Sequence, residues 1–432
     1  MSSELAISQY EAPSVRLDQS LLVFVLVGAF FAVTAATMQA QSVRSAIMGT
    51  SIIAALGFVL VTTAKDQLTI TQMFRGAPKL LYIYIAAMVL ADIASGGAGA
   101  HLTTFVAQMI ATYLFYFMIP RALIRDGRRL ELVFEVFTGL AAFAAVTAFL
   151  PLLGFSTFLS LPFAVKDAYS HFSGWSASGG IIETPLVLGT FMMLATTITF
   201  YRYRQFPSRQ RIAAIALFLA ALIVCQSRGS MLGLGVAAVA YFSPRWLIST
   251  GWRLLILVPL IAALAGAVLL LFLYVPALSS YFRVANGSSG RVVEWASLVL
   301  MTMKSPWVGY GVGTAGDFVA GLAPVLKGLA GISVSAVDGT YFETAFDSGL
   351  IVTFIYIALF LLPVWSVAQS QMPLNEKRFF VAVGLGIFVT NIWVSNNFGG
   401  MRLTSVMITI LMGLAYQYAR NSRMLTPPEV SS

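Results

Sequence analysis

The chain has 432 residues, 59% of them hydrophobic and only 10% charged, with a mean hydropathy of +0.86. A soluble domain carries about 25% charged residues, so this deficit makes lipid the solvent and predicts one all-α, polytopic membrane domain over residues 1–432. The net charge of +9 comes without any Lys/Arg run interleaved with aromatics, which sets nucleic acid aside, and a single cysteine, Cys225, excludes an internal disulfide or a paired-cysteine metal site.

A membrane helix needs roughly 20 apolar residues. That length gives about twelve spans, near 20–39, 45–64, 79–94, 101–120, 131–152, 181–201, 211–226, 229–243, 253–275, 345–366, 378–396 and 401–419. The residues ahead of the first span lack the basic start of a cleavable signal peptide and read as a cytoplasmic tail. With that end inside, the inner segments hold Arg16; Lys65, Arg75, Lys79; Arg121, Arg125, Arg128, Arg129; Arg202, Arg204, Arg209, Arg211; Arg245, Arg253; Lys377, Arg378; and Arg420, Arg423, which is 18 of the 26 Lys and Arg. Basic residues on every alternate loop follow the positive-inside rule and predict both termini in the cytoplasm.

Two outer loops are long, 153–180 and 276–344. The larger contains "GRVVEWASLVLMTMKSPWVGYG", in which Val292, Trp295, Leu298, Val299 and Met303 recur at helical spacing and predict a helix lying at the interface. The Gly- and Pro-containing end of that stretch reads as a turn. "VDGTYFETAFDSGL" then leads into the tenth span, placing Asp338, Glu343 and Asp347 on the outer face.

Eight Lys/Arg stand outside against the rule: Arg44, Lys166, Arg228, Arg283, Arg291, Lys304, Lys327 and Arg402. Arg228, Arg291 and Arg402 abut spans or turns. Each either caps a helix or snorkels to headgroups, or two or more converge on a lipid pyrophosphate, whose oxygens suit the planar guanidinium fork. Asp338 reads as an N-cap of the tenth span. Glu343 and Asp347 read as first-turn helix acids. Asp92, in "VLADIASGG", reads as an ion-pair or proton-relay group at an outer helix end, or as a fraying terminus, and Glu183 is equally open. Cys225 reads as packing and His171 as a loop residue. No metal-ligand spacing is readable and no cofactor is expected.

In order along the chain, "CQSRGSMLGLGVAAVAYF", "SGRVVEWASLVLMTMKSPWVGYGVGT" and "DGTYFETAFDSGLIVTFIYIALF" resemble the O-antigen ligase and polysaccharide polymerase family. Ser227, Arg228 and Gly229 match its Ser-Arg-Gly break. Gly290, Arg291, Trp295, Pro306, Gly309 and Gly311 match its Gly-Arg…Trp…Pro…Gly-x-Gly stretch. Tyr341, Asp347, Gly349 and Leu350 match the box before the next helix. Two departures stand out. The family's His-Asn is Asp338-Gly339 here, and an arginine often found ahead of the upstream Ser-Gly is absent, Ser176 or a neighbour taking its place.

The resemblance implies a GT-C-like, metal-independent, inverting glycosyltransferase of the bacterial inner membrane. Its partners would be an undecaprenyl-pyrophosphate-linked oligosaccharide, the lipid bilayer and a chain-length regulator or export complex. Arg228, Arg291 and Arg402 would hold the pyrophosphate, Asp338 would be the base, and Tyr341, Glu343 and Asp92 would support them. Loss of the ligase-type histidine favours a polymerase over a ligase. A flippase or carrier predicts two similar halves and mid-membrane polar residues, and the sequence has neither.

Overall fold

The computed structural model describes residues 13–32, 41–67, 76–96, 102–150, 153, 169–172, 175–177, 180–182, 184–244, 290–330, 339–392, 394 and 403–424. Glu183, Asp338, Arg402 and the expected span 253–275 lie outside these described residues, as does the side chain of Arg291.

The helices are α1 (Pro13–Phe31), α2 (Gln41–Lys65), α3 (Lys79–Ala94) and α4 (Leu102–Tyr113), followed by a π-helical turn (Leu114–Met118), α5 (Ile119–Ile124) and α6 (Gly127–Phe149). A two-stranded antiparallel hairpin, β1 (Tyr169–Phe172) and β2 (Trp175–Ala177), occupies part of the smaller predicted loop. Then come α7 (Pro185–Gln205), α8 (Arg209–Val224), α9 (Arg228–Phe242), α10 (Gly290–Thr302), α11 (Thr314–Ala330), α12 (Thr340–Gln369), α13 (Leu374–Thr390) and α14 (Leu403–Met424). The hairpin and α11 were not foreseen from the sequence.

Eleven of the expected spans coincide with helices. Four helical stretches are long and apolar enough to cross a bilayer: Ser45–Lys65, Phe105–Ile124, Gly127–Phe149 and Thr340–Gln369. The expected count of about twelve is therefore not reached by length and composition among the described residues. Several helices are short: α3 and α8 have 16 residues each, about 24 Å at 1.5 Å per residue. The chain is a multi-pass helical membrane protein.

Helix α7 lies at the centre, buried almost throughout from Pro185 to Thr199. Its threonines fit there because each hydroxyl satisfies itself on the preceding turn: Thr196 donates to the Met192 carbonyl at 2.7 Å and Thr197 to that of Met193 at 2.9 Å. Beside it, α9 and α13 approach closely through Gly233 and Gly386; a Cβ on either would meet the other's carbonyl oxygen. In lipid, helix association rests on such close packing and on hydrogen bonds.

The contacts define two ends of the bundle. At one, Arg129 of α6 pairs with Asp18 of α1 at 2.6 Å, and Arg125 with Asp66 beyond α2 at 2.6 Å. Arg202 of α7 joins Glu131 and Glu135 of α6. Arg420 of α14 donates to the Gly76 carbonyl at 2.7 Å, and Arg378 of α13 to that of Ser243, past α9, at 3.0 Å. These residues come from loops that the charge pattern placed on one side. Helices α3, α9, α12 and α14 each have one terminus here and the other at the opposite end, where the candidate residues lie.

Candidate functional site at the end opposite the arginine pairs

The break between α8 and α9 comes from three residues. Cys225 caps α8 and is buried as expected, its thiol against the Leu222 carbonyl. Gln226 takes a left-handed φ of 51°, and Ser227 is the N-cap residue of α9, so Arg228 opens that helix, half-buried. The Ser227 hydroxyl lies 2.9 Å from that of Ser230, which reaches Thr190 of α7 at 3.3 Å. This buried polar chain fixes the start of α9 against α7.

Three helix termini meet beside Arg228. The Thr390 hydroxyl at the end of α13 lies 3.5 Å from the Gly229 carbonyl. The next residue, Asn391, accepts the Thr340 amide at 2.9 Å through its carbonyl, and the Thr340 hydroxyl donates to the Val394 carbonyl at 3.0 Å. Gly339, which follows Asp338 in the chain, sits at φ 101° against the Ile392 carbonyl. Helix α10 reaches the same place: Trp295 stacks on Phe342 of α12 at 4.9 Å and 17°, and Arg291 lies one turn before Trp295 on its face. The starts of α9, α10 and α12 are thus gathered, and with them the backbone positions beside Arg228, Arg291 and Asp338. Arg402 directly precedes α14, whose far terminus is at the arginine-pair end.

The remaining candidates do other work. The Tyr341 hydroxyl donates to the Phe388 carbonyl at 3.0 Å, and its ring packs near Tyr356 and Phe388, so it braces α12 against α13. Glu343 is in the first turn of α12, as expected. Asp347 is not: it lies two turns in, buried, and its carboxylate accepts the Gly313 amide at 2.8 Å, the Ala315 amide at 2.7 Å and the Thr314 hydroxyl at 3.3 Å. Asp92, near the end of α3, is buried and accepts the Val312 amide at 3.2 Å. Neither acid frays into solvent. Asp347 caps the N-terminus of α11, where helix amides lack partners of their own, and Asp92 holds the turn just ahead of it.

Why the chain folds so is visible in the backbone of α12. At Gly349 the helix breaks, with φ 81° and ψ 172°, a region open essentially to glycine alone. The Leu350 amide thereby turns from the Phe346 carbonyl to that of Pro306, at 2.7 Å. The released carbonyls of Phe346 and Asp347 accept the amides of Tyr310, at 3.0 Å, and Gly311, at 2.8 Å. A Cβ on Gly309 would stand 2.5 Å from the Asp347 oxygen, and one on Gly349 would strike the Trp307 carbonyl. Two glycines face to face let the loop and the broken helix join backbone to backbone, forming a clasp.

A small core backs this clasp. Phe346 is buried with Leu298, Ala315 and Val319, and its ring lies 4.8 Å from Tyr310 and 5.1 Å from Phe318. The expected apolar stripe of α10 is therefore split. Leu298 is buried and Trp295 stacked, while Val299 and Met303 are exposed, because α10 packs a narrow face on α12 and turns the rest outward. Glu294 is buried on the inner side. Among the described residues no group of three His, Cys, Asp or Glu side chains is placed to hold a metal ion.

Asp347 is seven residues into α12 from Thr340, about 10 Å along the axis, so Asp347, and Asp92 with it, belong to the clasp and not to the meeting of helix termini at the start of α12.

The arrangement is that of a membrane helical bundle in which α10 and α11 are pinned to one end by a broken helix. Residues 213–357 match the family model described as O-antigen ligase, so the resemblance read from the motifs holds over that third of the chain. No curated protein matches the chain. The matched segment contains the whole of α9, α10 and α11, the first half of α12 and the clasp apart from Asp92.

Proposed function

We propose that this protein polymerises oligosaccharide repeat units carried on undecaprenyl pyrophosphate, at the periplasmic face of the bacterial inner membrane. The observation that supports the reading is the meeting of the α9, α10 and α12 starts inside the matched segment, where Arg228 opens α9, Arg291 is the second residue of α10 and Asp338 stands two residues ahead of α12 in the chain. Asp338 takes the proton of an acceptor hydroxyl as its oxygen attacks the donor sugar's anomeric carbon. The bond to pyrophosphate breaks with inversion. Arg228, Arg291 and Arg402 neutralise the departing pyrophosphate.

The N-cap residue of α12 is Gly339, with no side-chain cap bond, which corrects the capping role expected of Asp338. Asp338→Asn keeps shape while removing the basic oxygen, so polymerisation in isolated membranes should fall by about 10²–10⁴-fold at unchanged protein level. Wild-type rates in that variant overturn the base role. Arg228→Lys keeps charge but loses the bidentate fork and should also lose polymer. A periplasm-dependent reporter should be active when fused near Gly313 and silent near Arg209; the reverse pattern overturns the orientation.

A second reading, transfer of finished glycan to a lipid A core or another acceptor, is favoured by the description of the matching family. Lipid-linked glycans in a deletion strain separate the two. Single repeat units accumulating on lipid mean polymerase; long unattached chains mean ligase.

A further inference from the structure

Helix α10 has 13 residues, too few to cross a bilayer, and it packs only a narrow face on α12. Trp295 and Leu298, which the sequence offered to the interface, are turned toward α12. A different face looks outward. Between 294 and 303 every exposed residue is apolar: Ala296, Val299, Leu300 and Met303. Spacings of three and four put them on one side of the helix. Trp307, in the turn that follows, joins them, and Leu300, Met303 and Trp307 are 63–68% exposed. A helix on a watery surface carries polar residues on its outward side. Here that side is apolar, and the exposed Lys304 stands past its end. Tryptophan and lysine beside an apolar face settle at the boundary of headgroups and acyl chains.

The clasp fixes the depth of this face. The Leu350 amide bonds to the Pro306 carbonyl at 2.7 Å, so Trp307 stands where α12 resumes after its break at Gly349. From there Ile351 and Phe354 turn outward on a helix long and apolar enough to cross a bilayer. Residues 350–369 of that helix span about 30 Å at 1.5 Å per residue, the thickness of a hydrocarbon core. The edge of the hydrocarbon therefore falls at the clasp, and the outward face of α10 continues the lipid-facing surface of α12. We propose that α10 is an interfacial anchor, its Val299, Leu300 and Met303 face lying with Trp307 in the acyl layer of the leaflet at this end of the bundle.

The test uses the full chain in lipid nanodiscs, one copy per disc, with an environment-sensitive fluorophore on Met303→Cys. The water-exposed reference is the same label on Gln210→Cys at the start of α8, and the native Cys225 is buried. Phosphatidylcholine spin-labelled near its headgroup should quench the Met303 label, whose emission should lie to the blue of the reference. Iodide should quench it about three-fold less than the reference. Equal iodide quenching at the two positions overturns the proposal. A label shielded from both iodide and spin-labelled lipid also overturns it, since protein then covers the face. If the cysteine variants fail to accumulate, Trp307→Phe decides. Brominated phosphatidylcholine should quench a smaller fraction of that variant's tryptophan fluorescence than of the unmodified chain's, and an unchanged fraction overturns the proposal.

Discussion

The two ends of the bundle are held by different chemistry. At one, side chain meets side chain: Arg129 and Asp18, both buried, at 2.6 Å, and Arg202 with Glu131 and Glu135. At the other, backbone meets backbone or carboxylate: Leu350 to Pro306, Gly311 to Asp347, and the amides of 312, 313 and 315 to Asp92 and Asp347. A charge pair tolerates side-chain adjustment and depends on burial for its strength. A backbone clasp depends on two glycines that nothing larger can replace. The first kind ties loops together; the second sets the position of a loop against a helix, which is what gathering α10 and α12 at one place requires.

The largest effect should come from the buried pair. Arg129→Met keeps length and apolar contact but leaves the Asp18 carboxylate, with no exposed surface, without that partner. Breaking such a pair from one side costs about 3–5 kcal/mol. The thermal midpoint in detergent should fall accordingly. Glu135→Gln at the same end, where the acid side chain is 63% exposed, should cost less than about 1 kcal/mol. Equal losses in the two would mean that burial does not set the strength of these pairs.

Next comes the clasp. Gly349→Ala demands a backbone conformation that costs an L residue about 1–3 kcal/mol, and its methyl would strike the Trp307 carbonyl. The damage should be local, showing as faster proteolysis and hydrogen exchange over 305–330 while the arginine-pair end stays protected. Uniform loss of protection along the chain would contradict the division into two ends.

These two ends also differ in how far they could be read in advance. Arg125, Arg129, Arg202, Arg378 and Arg420 announced their side of the bundle by position alone, because charge is excluded from hydrocarbon and every alternate loop must repeat the choice. The identities of their partners, such as Asp18 and Gly76, depend on tertiary contact and carried no local signal. At the other end, "SPWVGYG" and "DSGL" were visible as motifs, yet their meaning was not. Asp347 looked like a first-turn acid because helix α12 was expected to start near it; the helix begins seven residues earlier and then breaks at Gly349. A glycine inside an apolar helical run was the available signal of close backbone approach. Helix α11 was missed because "TAGDFVAGLAPVLKGLA" carries glycines and Pro324 in its interior, which depress helix propensity until Asp347 caps its start.

Third in size is Asp347→Ala, which leaves the amides of Gly313 and Ala315 without their acceptor. Leaving a buried donor unsatisfied costs about 1–3 kcal/mol, and the start of α11 should fray, measured as exchange at 313–318. Retained protection there would assign the cap to other groups.

The smallest effect separates the two readings of Asp92. As part of the clasp, it accepts one amide at 3.2 Å, from Val312, and an asparagine oxygen accepts the same bond. Asp92→Asn should then cost no more than about 1 kcal/mol and leave glycan products unchanged, since the acid sits with Asp347 and about 10 Å along α12 from the meeting of helix termini. A proton-relay group behaves otherwise, because an amide cannot give or take the proton and catalysis would fall by about 10²–10⁴-fold. Products should be compared at matched protein level, with exchange at Val312 followed in parallel. Loss of product with Val312 still protected would move Asp92 out of the clasp and into the proposed chemistry. Normal product with a slightly freer Val312 keeps both buried acids as the fastenings of the loop ahead of α11.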